Sequence, residues 1–153
     1  MGRSKPGPAR ELFEDYRRRL VGPPWHGLEL IEVEERRPLE GAERRAREGK
    51  LLLDALPKGA TLIALDGRGK SLSSEAFAGL LSDKADAGTG TLAFAIGGAS
   101  GFDPTVRARA GRLISLGAMT WPHMLVRVLL AEQLFRARAI LTGHPYHRGE
   151  GAG

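Results

Sequence analysis

The chain has no cysteine among its 153 residues. That excludes disulfides and thiolate metal centres together, and no bound metal is expected. It also lacks any apolar run approaching the length needed to cross a bilayer. Its opening residues, MGRSKPGPAR, are polar and broken by proline, without the apolar core of a secretory signal. A cytoplasmic protein with no membrane partner is the expectation. A chain of this length fills one domain, residues 1–153, around a single core.

Positive charge is present, and it is unevenly placed. The formal net charge is +5, yet residues 1–96 carry 16 Lys/Arg against 15 Asp/Glu, while residues 97–153 carry 7 against 3. Each phosphate contact releases about one counterion, and useful affinity needs several such contacts. The excess is therefore compatible with a nucleic-acid partner and equally with a merely basic surface.

Periodicity divides the chain into alternating elements. Leu12, Phe13, Tyr16 and Leu20 recur at helical spacing over 9–20, with Arg17, Arg18 and Arg19 where a helix dipole favours cations. Residues 28–33 alternate apolar and acidic side chains, as a half-buried strand does, and 40–56 is a charged helix stopped by Pro57. The apolar runs 61–65 and 92–96 suit buried parallel strands. Between them Ser73 caps a helix reaching about Lys84; Asp103 and Pro104 open another, and a strand follows at 113–116. A last helix runs from Pro122 to about Ile140. The order α-β-α-β-α-β-α-β-α calls for an α/β fold, a mainly parallel sheet with helices on both faces.

Two loops leave the ends of these strands. IGGASG, at 96–101, differs from the dinucleotide fingerprint G-x-G-x-x-G in spacing and in lying late in the chain, which argues against a nicotinamide site. Gly97, Gly98 and Gly101 offer backbone that a flat or charged ligand can approach, or else form only a tight strand-to-helix turn. LGAMTW, at 116–121, has amides and carbonyls free to bind an adenine edge or a carboxylate; the alternative is a capped turn with Met119 and Trp121 in the core. Open α/β sheets bind ligands at such carboxyl ends. Asp66 ends a strand beside them, either to orient a ligand amine or as a β-turn residue. Arg107, Arg109 and Arg112 either track an RNA backbone or form a solvated face. Trp25, His26 and the Gly-Pro-Pro turn read as structural.

The last helix is apolar almost all round at its start. Met124, Leu125, Val126, Val128, Leu129 and Leu130 leave Arg127 as the only break, so the helix is expected to meet the sheet on one face and a second subunit on the other. Glu132 and Arg136, four apart, read as ordinary helix support. Beyond lies a tail dense in groups able to do chemistry: His144, Tyr146, His147 and Arg148.

These segments, ARELFEDYRRRL, LIEVEE, TLIALDGRGKSLSSE, AFAIGGASGF and above all MTWPHMLVRVLLAEQLFRA followed by HPYHR, resemble in order and spacing the bacterial ribosomal RNA large subunit methyltransferase H family. The resemblance implies a SPOUT-class fold with a C-terminal trefoil knot, in which the segment after Leu116 is threaded. It implies S-adenosyl-L-methionine as cofactor and methylation of a pseudouridine at N3 in 23S rRNA, within the large subunit or the assembled ribosome. It implies a homodimer in which the tail of one subunit reaches the pocket of the other. Carried over by position, the cofactor-binding residues are Leu65, Gly97, Leu116, Gly117, Ala118, Met119, Thr120 and Trp121. The catalytic set is His123 as positioning or base residue, Tyr146 against the uracil ring, His147 as alternative base and Arg148 as an RNA phosphate contact. A different SPOUT activity, on a ribose 2′-hydroxyl or a tRNA base, would keep the same cofactor loops; a non-catalytic RNA-binding module would keep only the fold. The family's usual first apolar strand, ending near Gly2, is absent here, so the sheet is expected one strand short with an exposed edge.

Overall fold

The computed structural model describes residues 5–147. Eight elements follow in order: α1 (Pro8–Arg19), α2 (Gly41–Asp54), β1 (Thr61–Ser71), α3 (Ser74–Asp86), β2 (Leu92–Ile96), α4 (Pro104–Arg109), β3 (Arg112–Ser115) and α5 (His123–Thr142). The three strands form one parallel sheet in the order β2-β1-β3, with β1 in the centre. Helix starts fall where the capping chemistry puts them. Ser73 Oγ accepts the amide of Ala76 at 3.1 Å, and Asp103 Oδ1 accepts that of Thr105 at 2.8 Å ahead of Pro104. Gly143, at φ 69°, ends α5 in the left-handed conformation that suits glycine.

Alternation along β1 divides the core between the sheet's two faces. Ile63 packs with Phe77, Leu80, Leu81, Ile114 and Leu130 beneath α3 and α5. Its neighbours Leu62 and Ala64 turn to the opposite face, against Phe102, Val106 and the Leu52, Leu53 and Leu56 side chains of the α2 region. Helices on both faces are thus what the sheet requires. Leu62, Ile63 and Val106 are wholly enclosed, each such side chain contributing about 1.5–3 kcal/mol. A third cluster joins α1 to α5 through Phe13, Val128 and Ala131.

Residues 28–33 do not form the expected strand. A strand needs a hydrogen-bonding neighbour as well as an alternating pattern, and among the described residues no strand pairs with this segment. Residues 5–7 lead directly into α1. A groove of about 810 Å³ runs between residues 28–33 and the edge strand β2, lined by Leu28, Leu30, Ile31 and Val33 together with Leu92 and Phe94. The inward-outward sense is also altered: Leu30 and Ile31 are exposed, whereas Glu32 is half-buried. Arg127, expected to break the apolar surface of α5, is instead buried and paired with Glu32 at 2.6 Å. A buried guanidinium without its carboxylate is strongly destabilising, so this pair pins the segment to α5.

Glu35, on the same stretch, accepts from Arg37 at 3.1 Å and from Arg47 at 2.9 Å. Its hydrogen bonds to the Arg37 side chain and amide, with Arg47 adding to them, hold its carboxyl down to about 2. A carboxyl depressed in the folded state contributes stability above its unfolded value, and this is lost as pH falls through the folded one. Urea unfolding between pH 6 and pH 2 should therefore show wild type ahead of Glu35→Gln above about pH 4.5, with the gap closing toward pH 2. A gap constant over that window would contradict this role.

Candidate active site

The register of the sheet aligns the ends of its three strands. Leu65 is paired on one side with Ile96, the last residue of β2, and on the other with Ile114 of β3. Adjacent strands lie about 4.8 Å apart, so the loops leaving β2 at Gly97 and β3 at Leu116 start from points about 10 Å apart with Leu65 between them. The structure thus brings Leu65, Gly97 and the 116–121 segment to one edge. This is the carboxyl edge of a parallel sheet, where main-chain groups have no further ladder to join.

Each loop has its own means of holding its shape. The first closes as a turn, with the Gly101 amide on the Gly98 carbonyl at 3.0 Å. A Cβ on Gly97 would meet the Phe102 ring at 3.4 Å, in van der Waals contact, so Phe102 backs this turn closely. In the second, Ser115 Oγ accepts the Gly117 amide at 3.2 Å and donates to the Gly117 carbonyl at 3.1 Å. Gly117 sits at φ 106°, which side chains rarely tolerate. Ala118, Met119, Thr120 and Trp121 follow with exposed side chains, Met119 at 77 %. Core packing of Met119 and Trp121 is therefore not what this chain does by itself.

Between the loops, β1 departs from regular pairing. Ile114 is opposite both Leu65 and Lys70, so residues 66–69 bulge outward and return. Asp66 nucleates the excursion: its Oδ1 accepts the Arg68 amide at 2.9 Å and its Oδ2 accepts Arg107 Nε at 2.7 Å. The turn reading of Asp66 is the one realised, and Arg107 is engaged in a mostly buried ion pair that braces α4 against β1. Those bonds from Arg68 and Arg107 outweigh burial and keep the Asp66 carboxyl below its ordinary value. Arg109 reaches the Ala60 carbonyl at 3.3 Å, and Arg112 is exposed on β3.

His123 opens α5 immediately after the second loop. Burial pushes its imidazole below the usual value, and Arg127 one turn on acts in the same direction. It is therefore neutral at pH 7, with a lone pair available to accept a proton. The donor set at this edge fits a compact ligand read by main chain: glycine-opened backbone, Leu65 and one neutral imidazole, with the adjacent Asp66 already balanced by Arg107. Among the described residues no cluster of His, Asp or Glu is arranged to hold a metal ion. None of their helices is long and apolar enough to cross a membrane.

The tail lies elsewhere. Tyr146 and His147 fold back onto the middle turns of α5, against Glu132, Phe135 and Arg136, about 14–20 Å along the helix from His123. Tyr146 stacks edge-on against Phe135 at 4.7 Å, beneath the Arg136 guanidinium, and its hydroxyl lies 3.2 Å from both Tyr16 and Glu132. Burial foremost, then Tyr16 and Glu132, raise its ionisation far above the usual phenol value. His147 contacts Glu75 and Arg136. One chain therefore does not assemble His123 with Tyr146 and His147; Arg148 lies outside the described residues. Sequence reasoning missed Tyr16 and Glu75 altogether and took the Glu132–Arg136 pair for plain helix support. The Tyr146 and His147 contacts to Tyr16 and Glu75 span 130 and 72 residues, and no local pattern announces them.

A parallel α/β sheet that gathers two main-chain loops at the carboxyl ends of its strands is the build of a small-ligand-binding α/β enzyme. The chain belongs to the SPOUT methyltransferase family: residues 1–147 match the family described as "Predicted SPOUT methyltransferase". It is 55 % identical over 148 residues to a protein of Paramagnetospirillum magneticum named Ribosomal RNA large subunit methyltransferase H, a match covering 97 % of this chain and 95 % of the relative. Proteins of the same name from Rhodospirillum centenum and Rhizobium rhizogenes are 55 % and 52 % identical, with the same shares covered.

The bulge supplies a direct check on the edge. A Cβ on Gly69 would fall 2.5 Å from the Ile114 amide nitrogen, against backbone that cannot move aside. Gly69→Ala should lower unfolding stability by about 1–3 kcal/mol, and the Ile114 amide should lose protection from hydrogen exchange. Unchanged stability and protection would show that β1 and β3 are not apposed in this register.

Proposed function

We propose that this chain methylates N3 of a pseudouridine in 23S ribosomal RNA, on the large subunit or the assembled ribosome, with S-adenosyl-L-methionine as donor, and that it works as a cytoplasmic homodimer. The observation that carries the reading is the alignment of Leu65 with Ile96 and Ile114, which gathers both loops at one edge. The relatives' name, a ribosomal RNA large subunit methyltransferase, supports the substrate class. The reading carries the knot with it, the chain after Leu116 being the threaded part.

S-adenosyl-L-methionine, when bound, supplies a methyl group on a sulfonium. The protein's own work is alignment and proton removal. In this reading the backbone of Gly97 and of residues 116–121, with Leu65, holds the donor. His123, kept neutral by burial, takes the N3 proton directly or through a water as the nitrogen gains the methyl group. Tyr146 stacks on or hydrogen-bonds the uracil ring, and Arg148 contacts phosphate. Because about 14–20 Å of α5 separates His123 from the residues on which its own tail docks, the tail that meets a given pocket belongs, in this reading, to a second copy. Met119, Trp121 and Leu125, all exposed around the start of α5, supply an apolar surface for that copy to cover.

The purified chain should sediment at about twice its 16.5 kDa mass. With ribosomes lacking the modification it should yield N3-methylpseudouridine on nuclease digestion and mass spectrometry. His123→Ala should lower kcat by about 10²-fold or more while cofactor affinity stays within a few-fold. A product methylated on a ribose hydroxyl would replace the substrate assignment. Loss of tenfold or less in kcat would remove His123 as the base.

A further inference from the structure

His147 is clamped from both sides by residues of two different helices. Its Nε2 lies 2.9 Å from Glu75 Oε1, at the start of α3, and its Nδ1 lies 3.3 Å from the guanidinium of Arg136 on α5. A guanidinium is permanently charged and has only donors, so Nδ1 is the accepting nitrogen. Nε2 then carries the ring proton and donates it to Glu75. Glu75 is a carboxylate at neutral pH, held below its ordinary value first by its own amide and then by His147. Arg136 is itself fixed by Glu132 and lies over the Tyr146 ring. The imidazole is mostly enclosed, at 16 % exposure, whereas Glu75 is 60 % exposed.

This arrangement decides what the side chain can do. A general base needs an unoccupied lone pair within reach of the proton it removes, and here the one lone pair of a neutral imidazole is taken by Arg136. We propose that Glu75 and Arg136 are positioning residues that lock His147 as its Nε2–H tautomer, and that His147 orients the tail and takes no substrate proton. The inference rests on the reading above, that the tail takes part in methylation, and it leaves His123 as the proton acceptor. Glu75 thereby joins the machinery of the reaction although it lies 72 residues from the histidine it holds.

Four full-length variants test this on ribosomes: His147→Ala, His147→Gln, Glu75→Ala and Glu75→Gln. The glutamine at 147 keeps an N–H donor near the Nε2 position but cannot act as a base, and the glutamine at 75 keeps the acceptor. Both alanine variants should lose about tenfold or more in kcat/KM, and both glutamine variants should stay within about threefold of wild type. Affinity for S-adenosyl-L-homocysteine, by calorimetry, should hold within about twofold throughout, since the loops are untouched. ¹⁵N NMR of His147 should show a protonated Nε2 and an unprotonated Nδ1, a signature disturbed in Glu75→Ala. A loss of about a hundredfold in His147→Gln, or a protonated Nδ1, would overturn the inference. If His147→Ala is impaired while Glu75→Ala is not, the inference fails and the role of the tail stands. If all four variants retain full activity with normal cofactor affinity, the role of the tail falls as well.

Discussion

Leu65 lies in register between Ile96 and Ile114 at the centre of the sheet, and this is the constraint on which the candidate site depends. Because β1 lies between β2 and β3 in parallel register, the two loops cannot shift relative to each other without breaking a ladder. The ladder is in turn held by packing on both faces, Ile63 to one side and Leu62 to the other. The bulge after Leu65 shows how closely the edge is built: β1 swings out at Asp66, is braced there by Arg107, and returns to meet β3 where only glycine fits at position 69. The starting points of both loops are thus set by strands before any ligand arrives.

The same economy governs the charges. The carboxyl-terminal third carries the positive excess, yet Arg107, Arg127 and Arg136 are engaged with Asp66, Glu32 and Glu132. The first two tie α4 to β1 and the 28–33 segment to α5, and the third spans one turn of α5 beneath Tyr146. Much of what looks in the sequence like a nucleic-acid surface is therefore internal bracing. If the proposed function holds, RNA contact falls to exposed groups such as Arg112 and to few phosphates, with correspondingly weak salt dependence.

Much of the fold was legible in the residues. Helix starts followed from Ser73 and Asp103, buried strands from the apolar runs at 61–65 and 92–96, and the parallel topology from the alternation of elements. The site loops were legible as glycine-bearing exits from strands, and the family from the motif running from Met119 to Arg148. What the sequence hid was long-range. Residues 28–33 have the pattern of a strand, but pairing depends on a neighbour that pattern cannot supply. Arg127 reads as an interruption until Glu32 is seen beside it, and Asp66 reads as either turn or ligand contact until Arg107 is placed. The anchoring of Tyr146 and His147 by Tyr16 and Glu75 likewise required the fold.

The most direct measurement is an amide ¹H–¹⁵N titration of the intact protein with S-adenosyl-L-homocysteine. The account requires Leu65, Gly97 and the amides from Leu116 to Trp121 to shift together along one saturating isotherm, while the amides lining the groove between β2 and residues 28–33 stay still. Shifts confined to that groove, or to one loop without the other, would contradict it.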